Sequence, residues 1–369
     1  MNVPKLRFKE FNDEWITYKF YDLVSIINGQ VDPNKKEYCN LPHIGPGNIE
    51  KETGRLLEYN LAKDDKLISS KYLFNEKSVI YGKINPHFAK VCYPKFVGLC
   101  SADAYPINPI EEKLTSTFLL YLLLNPKFTK FATSVSMRTG MPKINRDELG
   151  IYKFTIPKIN EQIKIGKTLE LLDKKIELQS KKIEDLKLFK LSTYSLVFSK
   201  SNNKVKLSDI CKIEKGKQIN SDLLIEKGNY YMLNGGILPS GYLNEYNTNE
   251  NTITISEGGN SCGYVNFSKT KFWCGGHCYK IISSSVNTSY LYHLLKHNEK
   301  IIMDLRVGSG LPNIQKKDLE TLKLSIHKKD EQSRIGILFD AFDKKINLEI
   351  NILNKFKELK KALMQAMFV

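Results

Sequence analysis

The sequence predicts a mixed α/β protein built twice over, each globular domain followed by a long helix, and two observations predict it. First, the chain repeats itself in register. Thr139-Gly140-Met141-Pro142-Lys143-Ile144 returns 170 positions later as Ser309-Gly310-Leu311-Pro312-Asn313-Ile314. Without a gap, Asn160-Glu161-Gln162 with Ile165-Gly166 returns as Asp330-Glu331-Gln332 with Ile335-Gly336. Asp173-Lys174-Lys175-Ile176 likewise returns as Asp343-Lys344-Lys345-Ile346. Second, a heptad pattern follows each copy of the motif. Leu169, Leu172, Ile176, Ile183, Leu186 and Val197 fall on a and d positions. Phe339, Phe342, Ile346, Leu353, Phe356, Leu363 and Met367 keep the same phase in the second copy.

Residues 1–160 make the first domain. Short β-rich runs such as Ser78-Val79-Ile80-Tyr81 and Lys90-Val91-Cys92-Tyr93 alternate with Gly, Pro and Asn punctuation, and one helix stands out at Thr117 to Leu124. Residues 161–199 make the first long helix. Gln179 takes a d position and Lys190 an a position, and Glu349 and Lys360 fall at the matching places of the second helix. A recurring polar layer weakens an interface but fixes its register. A helix of about 38 residues is about 57 Å long at 1.5 Å per residue. Ser199-Lys200-Ser201-Asn202-Asn203 is a polar linker, after which Lys206-Leu207-Ser208-Asp209-Ile210 restarts what Lys19-Phe20-Tyr21-Asp22-Leu23 began. Gly29 and Gly216 are the matching turn residues. Residues 200–330 make the second domain, with a counterpart helix at Ser289 to Leu295, and residues 331–369 the second long helix. Asp22 to Thr139 spans 117 positions and Asp209 to Ser309 spans 100, so the domains differ by 17 while the helices differ by none. Divergence confined to the domains suits two unlike readers on a common frame.

The chain has 369 residues, a length that suits two cores rather than one. With 41% hydrophobic and 26% charged residues it is a folded globular protein. The 56 basic against 40 acidic residues give a net charge of +16 and a pI near 9.3. A lysine-rich surface alone accounts for such a balance, but together with a two-part architecture it points to DNA. Seven cysteines, an odd number without a disulfide-like framework, predict a reducing cytoplasm. Met1-Asn2-Val3-Pro4-Lys5 carries no apolar signal core, and the strongest apolar run, Phe118 to Leu124, is too short to span a bilayer. No membrane partner is expected.

A Gly-x-Pro-x-Ile motif followed by Glu-Gln and a long helix, duplicated at equal spacing over nearly the whole chain, resembles the specificity subunit of type I restriction-modification systems, a phage defence. The resemblance implies two target recognition domains, each binding one half of a bipartite, asymmetric site in double-stranded DNA. It implies that the long helices pair as an antiparallel coiled coil, with a pseudo-twofold between the domains. A strut of about 50 Å matches about 15 base pairs at 3.4 Å each, so the coiled coil would set the unread spacer. It further implies a chain that is not an enzyme, with no catalytic, cofactor-binding or metal-binding residue of its own. Two modification subunits, carrying S-adenosylmethionine and methylating adenine N6, would dock on the polar outer faces of the helices. Restriction subunits using ATP and Mg would join through them.

Candidate DNA contacts follow from loop position and side-chain chemistry. In the first domain Tyr81, Lys83, Asn85 and His87 lie in Tyr81-Gly82-Lys83-Ile84-Asn85-Pro86-His87, where a base, an amide and an imidazole suit base edges and phosphates. At the comparable place of the second domain, Glu257-Gly258-Gly259-Asn260-Ser261-Cys262-Gly263-Tyr264 offers Gly259 for close backbone approach, Asn260 for adenine, and Ser261. The plainer reading of either segment is a hairpin turn. Arg138 with Thr139, and Arg306 with Ser309, place an Arg beside small residues ahead of each long helix and suit a phosphate clamp or simply a tight connection. Lys217, Gln218, Asn234, Trp273 and His277 complete the set.

Other motifs are read as decoys. Asn85-Pro86-His87-Phe88 lacks the second proline of the adenine methyltransferase tetrapeptide, and no glycine-rich cofactor loop follows a strand. Cys274, His277, Cys278 and Cys262 do not have paired zinc spacing and read as small buried residues by a turn. His293 and His297 share a helix face without the glutamate of a zinc hydrolase and read as surface. Two alternatives stay open: a two-repeat endonuclease of homing type using Asp173 and Asp343, and a partner-free bivalent DNA-binding protein. Both aspartates sit at heptad position e before two lysines, which reads as a solvated flank.

Overall fold

The computed structural model describes residues 3–137, 140–201, 203–308, 310 and 312–369. It divides into two compact units, Met1–Leu178 with Ile352–Val369, and Gln179–Asn351. Each unit is one globular domain with half of each long helix.

In the first unit a four-stranded antiparallel sheet runs Val24–Ile26, Ala104–Pro109, Val79–Gly82, Val91–Cys92. All of Val79–Gly82 is buried, the mark of a strand covered on both faces. The helix Ser116–Leu124 packs against this sheet and is buried from Phe118 onward. It begins where the Thr115 hydroxyl accepts from the Phe118 amide. It ends where Pro126 pushes Asn125 out of the helical region; the next helix, Pro126–Val135, starts there with Asn125 capping the Lys127 amide. A smaller sheet runs His43–Ile44, Gly98–Cys100, Tyr72–Phe74. Ile16–Lys19 pairs with Lys153–Ile156, tying the start of the domain to its exit.

The second unit repeats this plan. Its main sheet runs Cys211–Lys215, Cys278–Ser284, Thr252–Ser256, Val265–Ser268, and Asn203–Lys206 pairs with Lys323–Ile326. The helix Thr288–His297 is capped by Asn287, which accepts from the Tyr290 amide. The smaller sheets differ. Gly98–Cys100 is central in the first unit, whereas Tyr230–Leu233 is central in the second, between Gly241–Leu243 and Trp273–Cys274. The length difference falls mainly in the stretches that build these sheets, 27–78 and 216–251.

The long helices are Ile159–Phe198 and Lys329–Ala366. Their a and d residues are buried or half-buried along both, as the heptads predict. In the first unit Ile165 and Leu169 share one core with Met364 and Met367. In the second unit the pairing is antiparallel, since Gln179 meets Glu349 while the later Lys190 meets the earlier Asp343. Gln179 Nε2 donates to Glu349 Oε2 at 2.6 Å, and Lys182 and Lys345 each lie 2.8 Å from Oε1. These contacts, Lys182 foremost, hold the Glu349 carboxyl down to about 2.

Three expectations need correction. Asp173 and Asp343 are not solvated flanks. Each takes a half-buried a-position lysine from the other helix, Lys360–Asp173 at 2.5 Å in the first unit and Lys190–Asp343 at 2.5 Å in the second. A lysine on the seam needs a counter-ion, and the e position is the nearest place for one. The outer helix faces are not simply polar: Leu178, Leu348, Phe189 and Leu359 are all about half exposed or more. His293 is fully buried, not on the surface, bonded to Tyr194 Oη at 2.7 Å and Asp340 at 3.1 Å; His297 stacks on Phe198. The helix carrying both packs on the first long helix, and burial lowers the His293 pKa despite Asp340. Among the described residues no helix is long and apolar enough to cross a membrane.

Candidate nucleic-acid interface

The loop leaving the central strand of each main sheet is held by the same hydrogen bonds in both units. In the first, Gly82 N donates to Lys90 O (2.8 Å), Lys83 N to Asp103 O (3.0 Å), Asn85 N to Pro142 O (2.8 Å) and Ile144 N to Lys83 O (3.0 Å). In the second, Ser256 N donates to Tyr264 O (2.9 Å), Glu257 N to His277 O (2.9 Å), Gly259 N to Pro312 O (3.0 Å) and Ile314 N to Glu257 O (2.8 Å). Tyr105 Oη lies 3.5 Å from Ile144 O, and Tyr279 Oη lies 3.0 Å from Ile314 O. The Pro and Ile of the repeated motif thus lock onto this loop, with Ile144 and Ile314 fully buried as anchors. Asn85 and Gly259 occupy one frame position, and both have positive φ, +50° and +79°. Glycine takes that conformation freely and asparagine tolerates it. The frame therefore aligns Lys83 with Glu257, Asp103 with His277, and Lys143 with Asn313.

The chemistry on this frame differs. In the first unit the Lys83 ammonium lies 5.1 Å from the Tyr105 ring centroid, and burial, then Lys143, pushes its pKa down. The Arg146 guanidinium lies 5.2 Å from the same centroid and donates to Ile26 O (3.2 Å) and Ile27 O (2.9 Å). His87 is exposed, its ring against Phe88, over which Lys51 also sits at 3.5 Å. In the second unit Glu257 Oε1 accepts from Lys215 (2.6 Å) and Tyr279 (3.1 Å), and Oε2 lies 3.9 Å from His277 Nδ1. Asn234 Oδ1 accepts from His277 N at 3.0 Å, and Lys217 N donates to Cys274 O at 2.9 Å. A Cβ on Gly216 would lie 2.2 Å from Gly275 O, so these loops meet backbone to backbone.

The structure brings Lys217, Gln218, Asn234, Gly259 and His277 onto adjoining loops of the second unit, with Asn260 and Ser261 on the rim of the same turn. Exposed Arg306 precedes Val307, which exchanges hydrogen bonds with Asn313 of the motif. Lys83, Asn85 and His87 adjoin the motif in the first unit. Two candidates are corrected. Tyr81 is 1% exposed inside the central strand, and Trp273 is buried with its indole N–H donating to Lys217 O at 2.9 Å, so both build the frame. Arg138, Thr139 and Ser309 lie outside the described residues. Glu257, Lys215, Lys143 and Arg146 were not chosen from the sequence. For Arg146 a signal existed, because Lys316 repeats a basic residue at the 170-position interval.

The family model of the type I restriction modification DNA specificity domain matches residues 12–188 and again 200–358. The chain belongs to this family. The type I restriction enzyme EcoDI specificity subunit of Escherichia coli is 34% identical over 160 residues, covering 43% of this chain and 35% of that protein. The putative type I specificity subunit S.MpnORF638P of Mycoplasma pneumoniae is 34% identical over 161 residues, covering 42% of each. The match thus spans under half the length of both relatives. The crystal structure of a type I restriction-modification system S subunit from M. genitalium shares the fold, with TM-score 0.68 and 19% identity over 100% of this chain and 99% of that one.

Proposed function

We propose that this chain is the non-catalytic DNA-specificity subunit of a type I restriction-modification complex, working in the cytoplasm. Each globular domain, 1–160 and 200–330, binds one half of a bipartite, asymmetric site. The helical segments 161–199 and 331–369 set the spacer. The observation that carries this reading is one hydrogen-bonded frame built twice and dressed with unlike side chains, Lys83 against Glu257 and Asp103 against His277. A duplicated frame with matching side chains would read one sequence twice; unlike chemistry suits an asymmetric site. Affinity comes from Lys and Arg on phosphates and so falls steeply with salt.

Catalysis belongs to partners. Two methyltransferase subunits, binding S-adenosylmethionine and methylating adenine N6, dock on the helices, and restriction subunits using ATP and Mg join through them. Half-exposed apolar residues recur at repeat-related positions, Leu178 with Leu348 and Phe189 with Leu359, which supports equivalent docking of two copies. Nothing favours the nuclease reading, whose two acids are each engaged by a lysine. Methylome sequencing of a host with and without this chain tests the function. Adenine methylation at one two-part motif should be present only with the chain; an unchanged methylome rejects the reading. A seven-residue insertion in either helix should change the accepted spacer or abolish recognition.

A further inference from the structure

We propose that Lys83 and Glu257 are specificity-determining residues of the two half-sites, Lys83 donating to guanine and Glu257 accepting from the amino group of cytosine. This rests on the reading that both units bind DNA, and it assigns the chemistry each one selects.

The two side chains leave the same point of the duplicated frame: each amide donates to the residue just before the adjacent strand, Asp103 or His277, and each carbonyl accepts from the buried Ile of the motif. Their charges are opposite. A position serving only as a phosphate clamp calls for a cation in both units, whereas a carboxylate there repels the backbone. Chemistry that reverses on a fixed frame follows the bases. In the major groove guanine presents two acceptors, O6 and N7, and cytosine presents one amino donor, N4. Lys and Glu are complementary to those two edges.

The surroundings prepare each group. Among the described residues the Lys83 ammonium has no hydrogen bond or ion pair, and it rests over the Tyr105 ring with its donors unspent. Among the described residues Glu257 is hydrogen-bonded through one oxygen only. Oε1 takes Lys215 and Tyr279, which fix the rotamer, while Oε2 faces His277 at 3.9 Å and keeps an acceptor site. The Glu257 side chain is 14% exposed, enough for an edge contact and too little for a free surface charge.

The test is selection of bound duplexes from a randomised pool by the purified full chain, at low salt, for the wild type, Lys83→Gln, Lys83→Arg and Glu257→Gln. Lys83→Gln should lose roughly tenfold or more discrimination for guanine at one position of one half-site, which Lys83→Arg retains. Glu257→Gln should lose cytosine at one position of the other half-site. The untouched half-site in each variant reports that the chain is folded. Weakening that is uniform across sequences, or a lowered melting temperature with an unchanged motif, overturns the proposal, because the residue is then a phosphate contact or a structural one. A wild-type chain that selects no two-part motif instead overturns the functional reading beneath it.

Discussion

Tyr279→Phe removes a single hydroxyl from the second unit, and the structure says how much that hydroxyl holds. Tyr279 is 3% exposed, and its proton is shared between Ile314 O at 3.0 Å and Glu257 Oε1 at 3.1 Å. Glu257 keeps Lys215, but the carbonyl of fully buried Ile314 loses this donor. Leaving a buried acceptor short costs about 1–3 kcal/mol, with about 2 kcal/mol the central value. At the equivalent position Tyr105 Oη is 3.5 Å from Ile144 O, the outer limit of a hydrogen bond, so Tyr105→Phe should cost about 0.5 kcal/mol or less. For a unit the size of Gln179–Asn351, each kcal/mol moves the melting temperature by roughly 2–4 °C. Tyr279→Phe should therefore lower it by about 4–8 °C and Tyr105→Phe by no more than about 2 °C. Calorimetry on the purified chain, supported by urea midpoints, reads the difference. Equal shifts, or a larger one for Tyr105→Phe, would show that the second motif is not held through this hydroxyl.

Lys190→Met leaves Asp343 without its cation and should destabilise by about 1–2 kcal/mol, most of it recovered when Asp343→Leu is added; urea midpoints of the two single variants and the double variant check this. Glu349 has a folded pKa of about 2, below its unfolded value of about 4.3, so its stabilisation is complete above the unfolded value and is lost as pH falls toward 2. Urea midpoints should fall less between pH 5 and pH 3 in Glu349→Gln than in the wild type; parallel curves would contradict the assignment. Gly216→Ala drives a methyl into Gly275 O and Cys274 O, at 2.2 and 2.6 Å, and should cost about 1–3 kcal/mol while disordering preference at the second half-site only. Selection of bound duplexes compared with the wild type measures that effect.

The parts legible in the sequence are the periodic ones. The heptads place the seam because a and d residues recur whatever the neighbouring domain does, and the 170-position register locates the motif in both copies. The loops proposed to contact DNA are less legible. Lys83 and Glu257 are 174 positions apart, so the 170-position register that aligns the motif misaligns the loop it locks onto. Tyr81 and Trp273 read as contacts from loop position and side-chain chemistry, yet both belong to strands whose buried faces decide their orientation. His293 reads as surface because, with His297 on its helix face, it lacks the glutamate of a zinc hydrolase; the cover comes from Tyr194 and Phe339 of the long helices, far away in sequence.

The paired charges on the seam bear on why the globular domains can diverge while their supports do not. In the second unit a seven-residue slip of one helix would set Gly336 or Ile350 in the place of Asp343, stranding half-buried Lys190. The same slip would bring Phe342 or Phe356 to Gln179 in place of Glu349, leaving an amide against a ring. Breaking a buried ion pair by losing one partner costs about 3–5 kcal/mol, and these half-buried pairs cost a fraction of that each, yet every one is lost together in the wrong register. Apolar a and d residues alone would tolerate the slip, since one leucine or phenylalanine replaces another. The polar layer therefore fixes where the domain's own helical half begins and ends, independently of any loop. With the support set in this way, Lys at one loop and Glu at the other leave unchanged where the loop is held.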